Sequence, residues 1–354
     1  EDIVRLHSSS GTTGRATAVF HTRNDLNAWA NLVARCMFMA GVRRGDVFQN
    51  MVGYGLFTGG LGFQYGAERL GALTIPSGSG NSKRQISLMR DFDTTVVHII
   101  PSYALALRKV FDEMGLDPKK DTRLRMALIG AEPHSEATRL RIEEMYGIEA
   151  FNSYGLSEMN GPGVAFECPE KNGMHFWEDD FLVEVIDPKT EKPVAEGEEG
   201  ELVFTTLNRE AMPLIRYRSK DLAAVLPGPC PCGRTHRRIT RIKGRSDDMF
   251  ILKGVNIFPL QIDTILMNIP EVGSNYLVVL EREKQTFQDR MIVQVEIRPE
   301  FFKGDLLKLE SLRRRVTEAL KSEILVTPKV ELVEPETLPK SEGKAVRVVD
   351  RREM

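Results

Sequence analysis

Ser8-Ser9-Ser10-Gly11-Thr12-Thr13-Gly14-Arg15 is the stretch on which the fold assignment turns. Two glycines let backbone N–H groups converge, five hydroxyls supply further donors, and a helix after the turn would aim its positive end at the same point. Such a loop suits a polyphosphate. It is not the NTPase loop G-x-x-x-x-G-K-[ST], because no lysine follows the second glycine. For the stretch alone, a flexible Ser/Thr/Gly linker is the alternative reading. Its flanks argue otherwise. The extended run Ile3-Val4-Arg5-Leu6-His7 precedes it, and Leu26, Trp29, Ala30, Val33 and Met37 then recur at helical spacing until Gly41 supplies a stop. A first strand this early leads us to expect a preceding segment.

Outward from the loop, buried strands are predicted at residues 47–51, 72–75, 95–100 and 126–129, with helices such as 102–114 and 135–146 between them. This alternation predicts a mostly parallel sheet covered by helices. Near residue 170 the pattern changes to strand-like runs at 181–186, 200–205 and 221–225 linked by turns, a β-rich subdomain over about 168–242. The polar stretch Lys243-Gly244-Arg245-Ser246-Asp247-Asp248 marks a boundary. Strands at 276–280 and 291–297, a charged amphipathic helix from 304 to 323 and a final strand at 329–333 follow. The expected class is therefore α/β: a large multi-subdomain domain over 1–246 and a small α+β domain over 247–354. No internal repeat or low-complexity tract interrupts it.

The 354 residues are 42% hydrophobic and 28% charged, an ordinary globular composition. Lys plus Arg number 48 against 50 Asp plus Glu, a balance of −2 that supplies no general field for nucleic acid or an acidic membrane. No run approaches the roughly 20 apolar residues of a membrane span, and the first residues lack the features of a secretory signal. We read the chain as cytoplasmic. Four cysteines (Cys36, Cys168, Cys230, Cys232) do not make a disulfide framework in a chain this long.

A second motif, Asn152-Ser153-Tyr154-Gly155-Leu156-Ser157-Glu158-Met159, superficially matches a nucleophile elbow. Met159 breaks G-x-S-x-G and no His and Asp partners are evident, so a serine hydrolase is not indicated. An aromatic face at Tyr154 can instead stack on a base while Glu158 holds a hard cation beside phosphate oxygens. Taken alone, Tyr154 reads as core and Glu158 as a solvated carboxylate.

The Ser8-to-Arg15 loop, Tyr154-Gly155-Leu156-Ser157-Glu158, Gly197-Glu198-Glu199-Gly200-Glu201-Leu202, Tyr217-Arg218-Ser219-Lys220-Asp221, Gly244-Arg245-Ser246-Asp247-Asp248 and Gly343-Lys344 occur in one order. That order resembles the adenylate-forming enzymes, the acyl-CoA synthetase superfamily. Gly53-Tyr54-Gly55-Leu56-Phe57-Thr58-Gly59-Gly60, Trp177-Glu178-Asp179 and Phe204-Thr205-Thr206-Leu207 resemble its phenylacetate–coenzyme A ligase family. The resemblance implies two half-reactions: an aryl acid and MgATP give acyl-adenylate and pyrophosphate, then coenzyme A displaces AMP. The rivals are a ligase for another aromatic acid, a carrier-protein-loading enzyme, and a nucleotide- or acyl-binding module without turnover.

By the same resemblance, Ser8, Ser9, Gly11, Thr12, Thr13 and Gly14 hold pyrophosphate, and Glu158 holds Mg²⁺. Glu132, Pro133, Asn152, Ser153 and Tyr154 match adenine-site segments, Asp221 the ribose acceptor, and Arg245 a ribose or α-phosphate contact. Lys344 matches the lysine that bridges the carboxylate and the α-phosphate; by position alone it reads as a tail lysine. Asp247 matches the hinge of a mobile C-terminal lid, and Gly254 the place where backbone nears the pantetheine arm of coenzyme A. Asn256 stands where some relatives carry an arginine, which leaves one CoA phosphate contact unassigned. Tyr54, Phe57, Gly59, Gly60, Gly130 and Ala131 map to the aryl pocket, where aromatic walls and small floor residues suit a planar ring. Core packing is the competing reading for Phe57. The resemblance also allows a homodimer.

Cys168, His175, Cys230 and Cys232 form the last constellation. Three thiolates and one imidazole match a closed tetrahedral Zn²⁺ site that would pin the β-rich region without taking part in chemistry. His236 is a rival fourth ligand, and unmetallated buried cysteines are the alternative. His98, in an apolar strand, reads as a satisfied core residue and not as a base.

Overall fold

The apolar stripe after the Gly-rich turn folds as the helix Arg23–Ala40. Thr22 Oγ1 accepts the Asp25 N–H and the Asp25 carboxylate accepts the Thr22 N–H, a reciprocal cap, and Gly41 ends the helix at φ 112°. A computed structural model describes residues 2–9, 17–283, 288–302, 306–339 and 346–352. Gly11, Thr12, Thr13, Gly14 and Lys344, to which roles are assigned above, lie outside the described residues. The chain divides into two compact units, Glu1–Ala131 with Ile142–Ser246, and Glu132–Arg141 with Asp247–Met354.

In the first unit, β1 (Ile3–Ser8) pairs antiparallel with β2 (Ala18–Thr22), and α1 is the helix Arg23–Ala40. The alternation follows: β3 (Val47–Asn50), α2 (Thr58–Leu70), β4 (Leu73–Ile75), α3 (Ser82–Asp91), β5 (Val96–Ile99) and α4 (Pro101–Glu113). Next come α5 (Pro118–Asp121), β6 (Met126–Gly130), α6 (Glu136–Tyr146), of which residues 136–141 count with the second unit, and β7 (Glu149–Tyr154). As expected, β4, β3, β5, β6 and β7 are parallel neighbours. Every residue of β5 and β6 is buried, the mark of strands covered on both faces.

The turn-rich region adds β8 (Ala165–Glu167), β9 (Met174–Phe176), β10 (Phe181–Ile186), β11 (Gly200–Thr206), β12 (Tyr217–Ala223), β13 (Val225–Leu226), β14 (Arg238–Ile239) and β15 (Gly244–Arg245). One expectation is corrected here. The run 221–225 is not one strand: it divides at Ala224, whose N–H donates to Thr240 Oγ1, so β12 and β13 join different sheets. The β-rich region supplies strands to two sheets. β10, β11, β12 and β15 make a four-stranded antiparallel sheet, whereas β8, β9, β14 and β13 extend the parallel strands into one nine-stranded sheet. Trp29, Phe48, Phe63, Phe151, Phe166, Phe176 and Phe204 fill the core between these layers.

In the second unit, β16 (Phe250–Leu252) and β17 (Val255–Ile257) are joined by Lys253 and Gly254 at φ 51° and 80°. Two left-handed residues are what a two-residue hairpin turn requires, which accounts for the glycine. α7 (Pro259–Met267), β18 (Val272–Arg282), β19 (Asp289–Ile297), α8 (Leu306–Ile324) and β20 (Lys329–Val333) follow. A further strand, β21 (Val348–Asp350), was not expected; it lies parallel to β18 at the sheet edge. Leu312, Val316, Leu320 and Ile324 give α8 one buried stripe, each side chain contributing about 1.5–3 kcal/mol. No described helix is long and apolar enough to cross a membrane.

Candidate functional site

The carboxyl ends of β3, β5, β6 and β7 bring together Asn50, Ile99, Gly130 and Tyr154, the edge of an α/β sheet where ligands bind. β6 and β7 run in register, Ile129 beside Asn152 and Gly130 beside Ser153. Ser153 Oγ donates to the Ile129 carbonyl at 3.0 Å. A Cβ at Gly130 would drive into the Ser153 backbone oxygen, so this close approach admits only glycine. Ala131, next along, is held at φ 68°.

Tyr154, Asp221 and Arg245, each read from a separate motif, meet. The buried Tyr154 hydroxyl donates to Asp221 Oδ2 at 2.6 Å. Asp221 on β12 faces Arg245 on β15 in strand register, with Arg245 Nη1 3.6 Å from Asp221 Oδ1 and donating to the Ser219 carbonyl at 3.2 Å. Burial first, and the Asp221 charge second, push the Tyr154 phenol well above its ordinary range, so it stays a donor. Asn152 is fixed by a residue the sequence reading missed: its N–H donates to Glu167 Oε2 at 2.7 Å, while Glu167 Oε1 pairs with Arg241 at 3.2 Å.

Glu158 sits on the short turn Ser157–Met159. Its carbonyl accepts from Arg209 Nη1 at 2.5 Å, and Arg209 Nη2 donates to the Phe20 carbonyl at 3.2 Å. Arg209, buried and unremarked in the sequence, thus ties this turn to β2. Its signal in the sequence is its position two residues after the Phe204-Thr205-Thr206-Leu207 motif. The described ends of the phosphate loop are pinned: Ser8 N–H donates to the Leu56 carbonyl at 3.1 Å, and Ser9 exchanges bonds with Thr17.

In the acyl segment, Thr58 Oγ1 lies 3.3 Å from Ser157 Oγ, so the two motifs touch. Glycines 59 and 60 are demanded by contact, since a Cβ at Gly59 would enter the Phe57 ring and one at Gly60 would meet Gly53 O and Tyr54. Asn50, also missed, donates through Nδ2 to Gly60 O at 2.7 Å and to the Tyr54 hydroxyl at 3.1 Å. In the second unit, Glu132 and Pro133 precede α6, Asp247 and Asn256 are exposed, and Gly254 occupies the β16–β17 turn.

Cys168, His175, Cys230 and Cys232 converge, their ligand atoms all within 4.8 Å of one another. Cys168 Sγ is 3.7 Å from Cys230 Sγ, and Cys232 Sγ is 3.3 Å from His175 Nε2. His175 Nδ1 donates to the His236 carbonyl at 2.7 Å, which leaves the Nε2 lone pair facing the sulfurs. His236 therefore serves through its backbone; its ring lies against Trp177, with Nε2 3.3 Å from Arg35 Nη2. Burial pushes the Cys168 thiol up to about 12. Burial opposes ionisation of Cys232 too, but hydrogen bonds from Arg234 outweigh it and hold that thiol below its usual value.

A family model described as AMP-binding enzyme matches residues 1–208, and one described as AMP-binding enzyme C-terminal domain matches residues 254–352. The chain is 45% identical over 364 residues to the phenylacetate-coenzyme A ligase of Thermus thermophilus, covering 99% of this chain and 82% of that one. It is 43% identical over 353 residues to the phenylacetate-coenzyme A ligase of Escherichia coli, covering 99% and 80%. Among solved structures, 2-hydroxyisobutyryl-CoA ligase in complex with R3-HIB-AMP is 32% identical, with a TM-score of 0.92 over 99% of this chain and 74% of that one.

Proposed function

The chain belongs to the AMP-binding enzyme family, within the adenylate-forming superfamily, and from that premise we propose that it ligates an aryl acid, foremost phenylacetate, to coenzyme A. The observation that carries this reading is the 45% identity to a phenylacetate-coenzyme A ligase across 99% of the chain. A carboxylate oxygen attacks the α-phosphorus of ATP and pyrophosphate leaves. The coenzyme A thiol, giving up its proton, then attacks the acyl carbon and AMP leaves.

Attack of an anion on a phosphate needs alignment and charge neutralisation more than a protein nucleophile. Ser8, Ser9, Thr12, Thr13, Gly11 and Gly14 would hold the pyrophosphate. Glu132, Pro133, Asn152, Ser153 and Tyr154 would frame the adenine, with the Asp221–Arg245 pair as a ready acceptor and cation for the ribose side. Glu158 offers the hard oxygen that Mg²⁺ takes, and the ion would neutralise phosphate charge. Tyr54, Phe57, Gly59, Gly60, Gly130 and Ala131 would line the aryl pocket, and Gly254 the pantetheine path. Asp247 would serve as the hinge, and Lys344 would stabilise charge developing between carboxylate and α-phosphate. ATP and coenzyme A are intracellular reagents, which supports the cytoplasmic reading.

The cysteine cluster fits a structural Zn²⁺: its four donors are of the soft and borderline kind, the imidazole presents a lone pair, and the Cys232 thiol is held below its usual value. Four protein ligands leave no position for substrate.

The test is AMP and thioester formation by the purified chain with phenylacetate, MgATP and coenzyme A. Acid-dependent AMP release is expected; its absence would leave only a binding module, and indifference to free coenzyme A would point to carrier loading. Lys344→Ala should slow acyl-adenylate formation by about 10²–10³-fold. Adenylation at the wild-type rate would remove Lys344 from the mechanism.

A further inference from the structure

Arg209 is a buried guanidinium, 7% exposed, and both of its terminal nitrogens are given to backbone. Nη1 donates to the Glu158 carbonyl and Nη2 to the Phe20 carbonyl at 3.2 Å, so one planar group spans the Glu158 turn and β2, the strand that follows the phosphate loop in sequence. Arg209 Nε is buried with no partner among the described residues. Reaching both carbonyls thus leaves one donor unsatisfied, which an apolar side chain in the same space would avoid.

The segment that carries Arg209 is itself strapped to the start of α1. Asp25 accepts the N–H groups of Glu210 at 2.8 Å and Ala211 at 3.0 Å, while Glu210 accepts from Thr22 Oγ1 at 2.6 Å and from Asn24 Nδ2 at 2.9 Å. Burial opposes the charge on Asp25, but its backbone donors and the nearby Arg209 outweigh that and hold the carboxyl below its ordinary value. Asp25 is therefore the anion that makes the buried guanidinium tolerable. Glu158 is different. It is 9% exposed, and its carboxylate accepts no hydrogen bond among the described residues. Arg209 feels the Glu158 charge but spends Nη1 on the backbone carbonyl, which leaves the carboxylate oxygens to a hard cation.

We propose that Arg209 is a positioning residue for adenylation: it sets the spacing between the Mg²⁺ carboxylate of Glu158 and the phosphate loop, so that metal and triphosphate are held in one geometry. This rests on the aryl-acid ligase reading above. Acyl-adenylate formation expels pyrophosphate and uses Mg²⁺, whereas thiol attack on the finished adenylate involves neither. Arg209 therefore matters to the first half-reaction and not to the second.

The experiment takes wild type, Arg209→Met and Arg209→Lys through each half-reaction, with phenylacetyl-adenylate and coenzyme A supplied for the second, and measures MgATP and AMP binding by calorimetry. Arg209→Met should slow adenylation about 30-fold and weaken MgATP binding about ten-fold, the scale of lost charged hydrogen bonds. AMP binding and thioester formation from the supplied adenylate should stay within about three-fold of wild type, less than one such bond is worth. Arg209→Lys keeps the charge but reaches one carbonyl at a time, so it should fall between the two; it decides by the same ratios if the methionine variant does not fold. Equal losses in both half-reactions, or of MgATP and AMP binding alike, would make Arg209 merely structural, and no loss in either would remove its role; both results leave the ligase reading intact. A wild type that turns over neither phenylacetate nor its adenylate would overturn the ligase reading, and the contrast between MgATP and AMP binding would still decide the role of Arg209.

Discussion

Around Asp221, a phenol and a guanidinium reach one carboxylate from β7 and β15, and each charge finds a protein partner. Around Cys168, four side chains turn their ligand atoms toward one another within 4.8 Å, and thiols cannot neutralise thiols as a guanidinium neutralises a carboxylate. Both clusters are assembled from segments far apart in sequence. The first is balanced by protein groups alone; in the second the countercharge would come from the proposed Zn²⁺. On the proposed roles, a nucleotide site and a structural metal site differ in whether the protein supplies the countercharge.

Metal removal should have the largest effect. The purified protein should carry about one equivalent of zinc, and a chelator or Cys230→Ser should lower the thermal midpoint by about 10 °C. Less than about half an equivalent, or a midpoint unmoved by chelation, would put the two clusters on the same footing. Asp221→Asn should weaken ATP use by about 10²-fold in kcat/KM while shifting the midpoint far less than metal loss does. A thermal loss equal to that of chelation would make Asp221 structural. Gly130→Ala, which presses a methyl into the Ser153 backbone, should cost about 1–3 kcal/mol in urea unfolding.

His98 sharpens the comparison with a group satisfied only while neutral. Its folded pKa near 3 lies below the ordinary value of 6.5, so between those limits the unfolded chain takes up a proton that the native state refuses. Stability should therefore be intact above about pH 6.5 and decline as pH falls toward 3, with His98 contributing a slope of about 1.4 kcal/mol per pH unit. His98→Gln should flatten the decline by that amount in unfolding titrations between pH 4.5 and 7. The remaining slope includes His21, whose pKa burial lowers likewise to about 3.

Tyr154, Asp221 and Arg245 could each be read from a short motif, because motif spacing is a local property of the chain. Their meeting could not, since β7 lies in one sheet and β12 and β15 in another, and only packing of the sheets sets that distance. Asn50 escaped notice because a polar residue closing an apolar strand carries no pattern of its own. The single strand read over 221–225 failed because an unbroken apolar run gives no sign of a change of sheet at Ala224. The cysteine cluster was legible down to its residues, whereas the choice between His175 and His236 required the hydrogen bond from His175 Nδ1 to the His236 carbonyl.

Cys168 and Cys230 stand 62 positions apart, and β10, β11 and β12 lie between them. An ion gripping both sulfurs would cinch that whole excursion of the chain at its base, like a drawstring. Cutting the peptide in the exposed turn at residues 196–199 would then leave two fragments held by the β10–β11 pairing and by the metal together, so that stripping the metal should loosen the nicked protein more than the intact one.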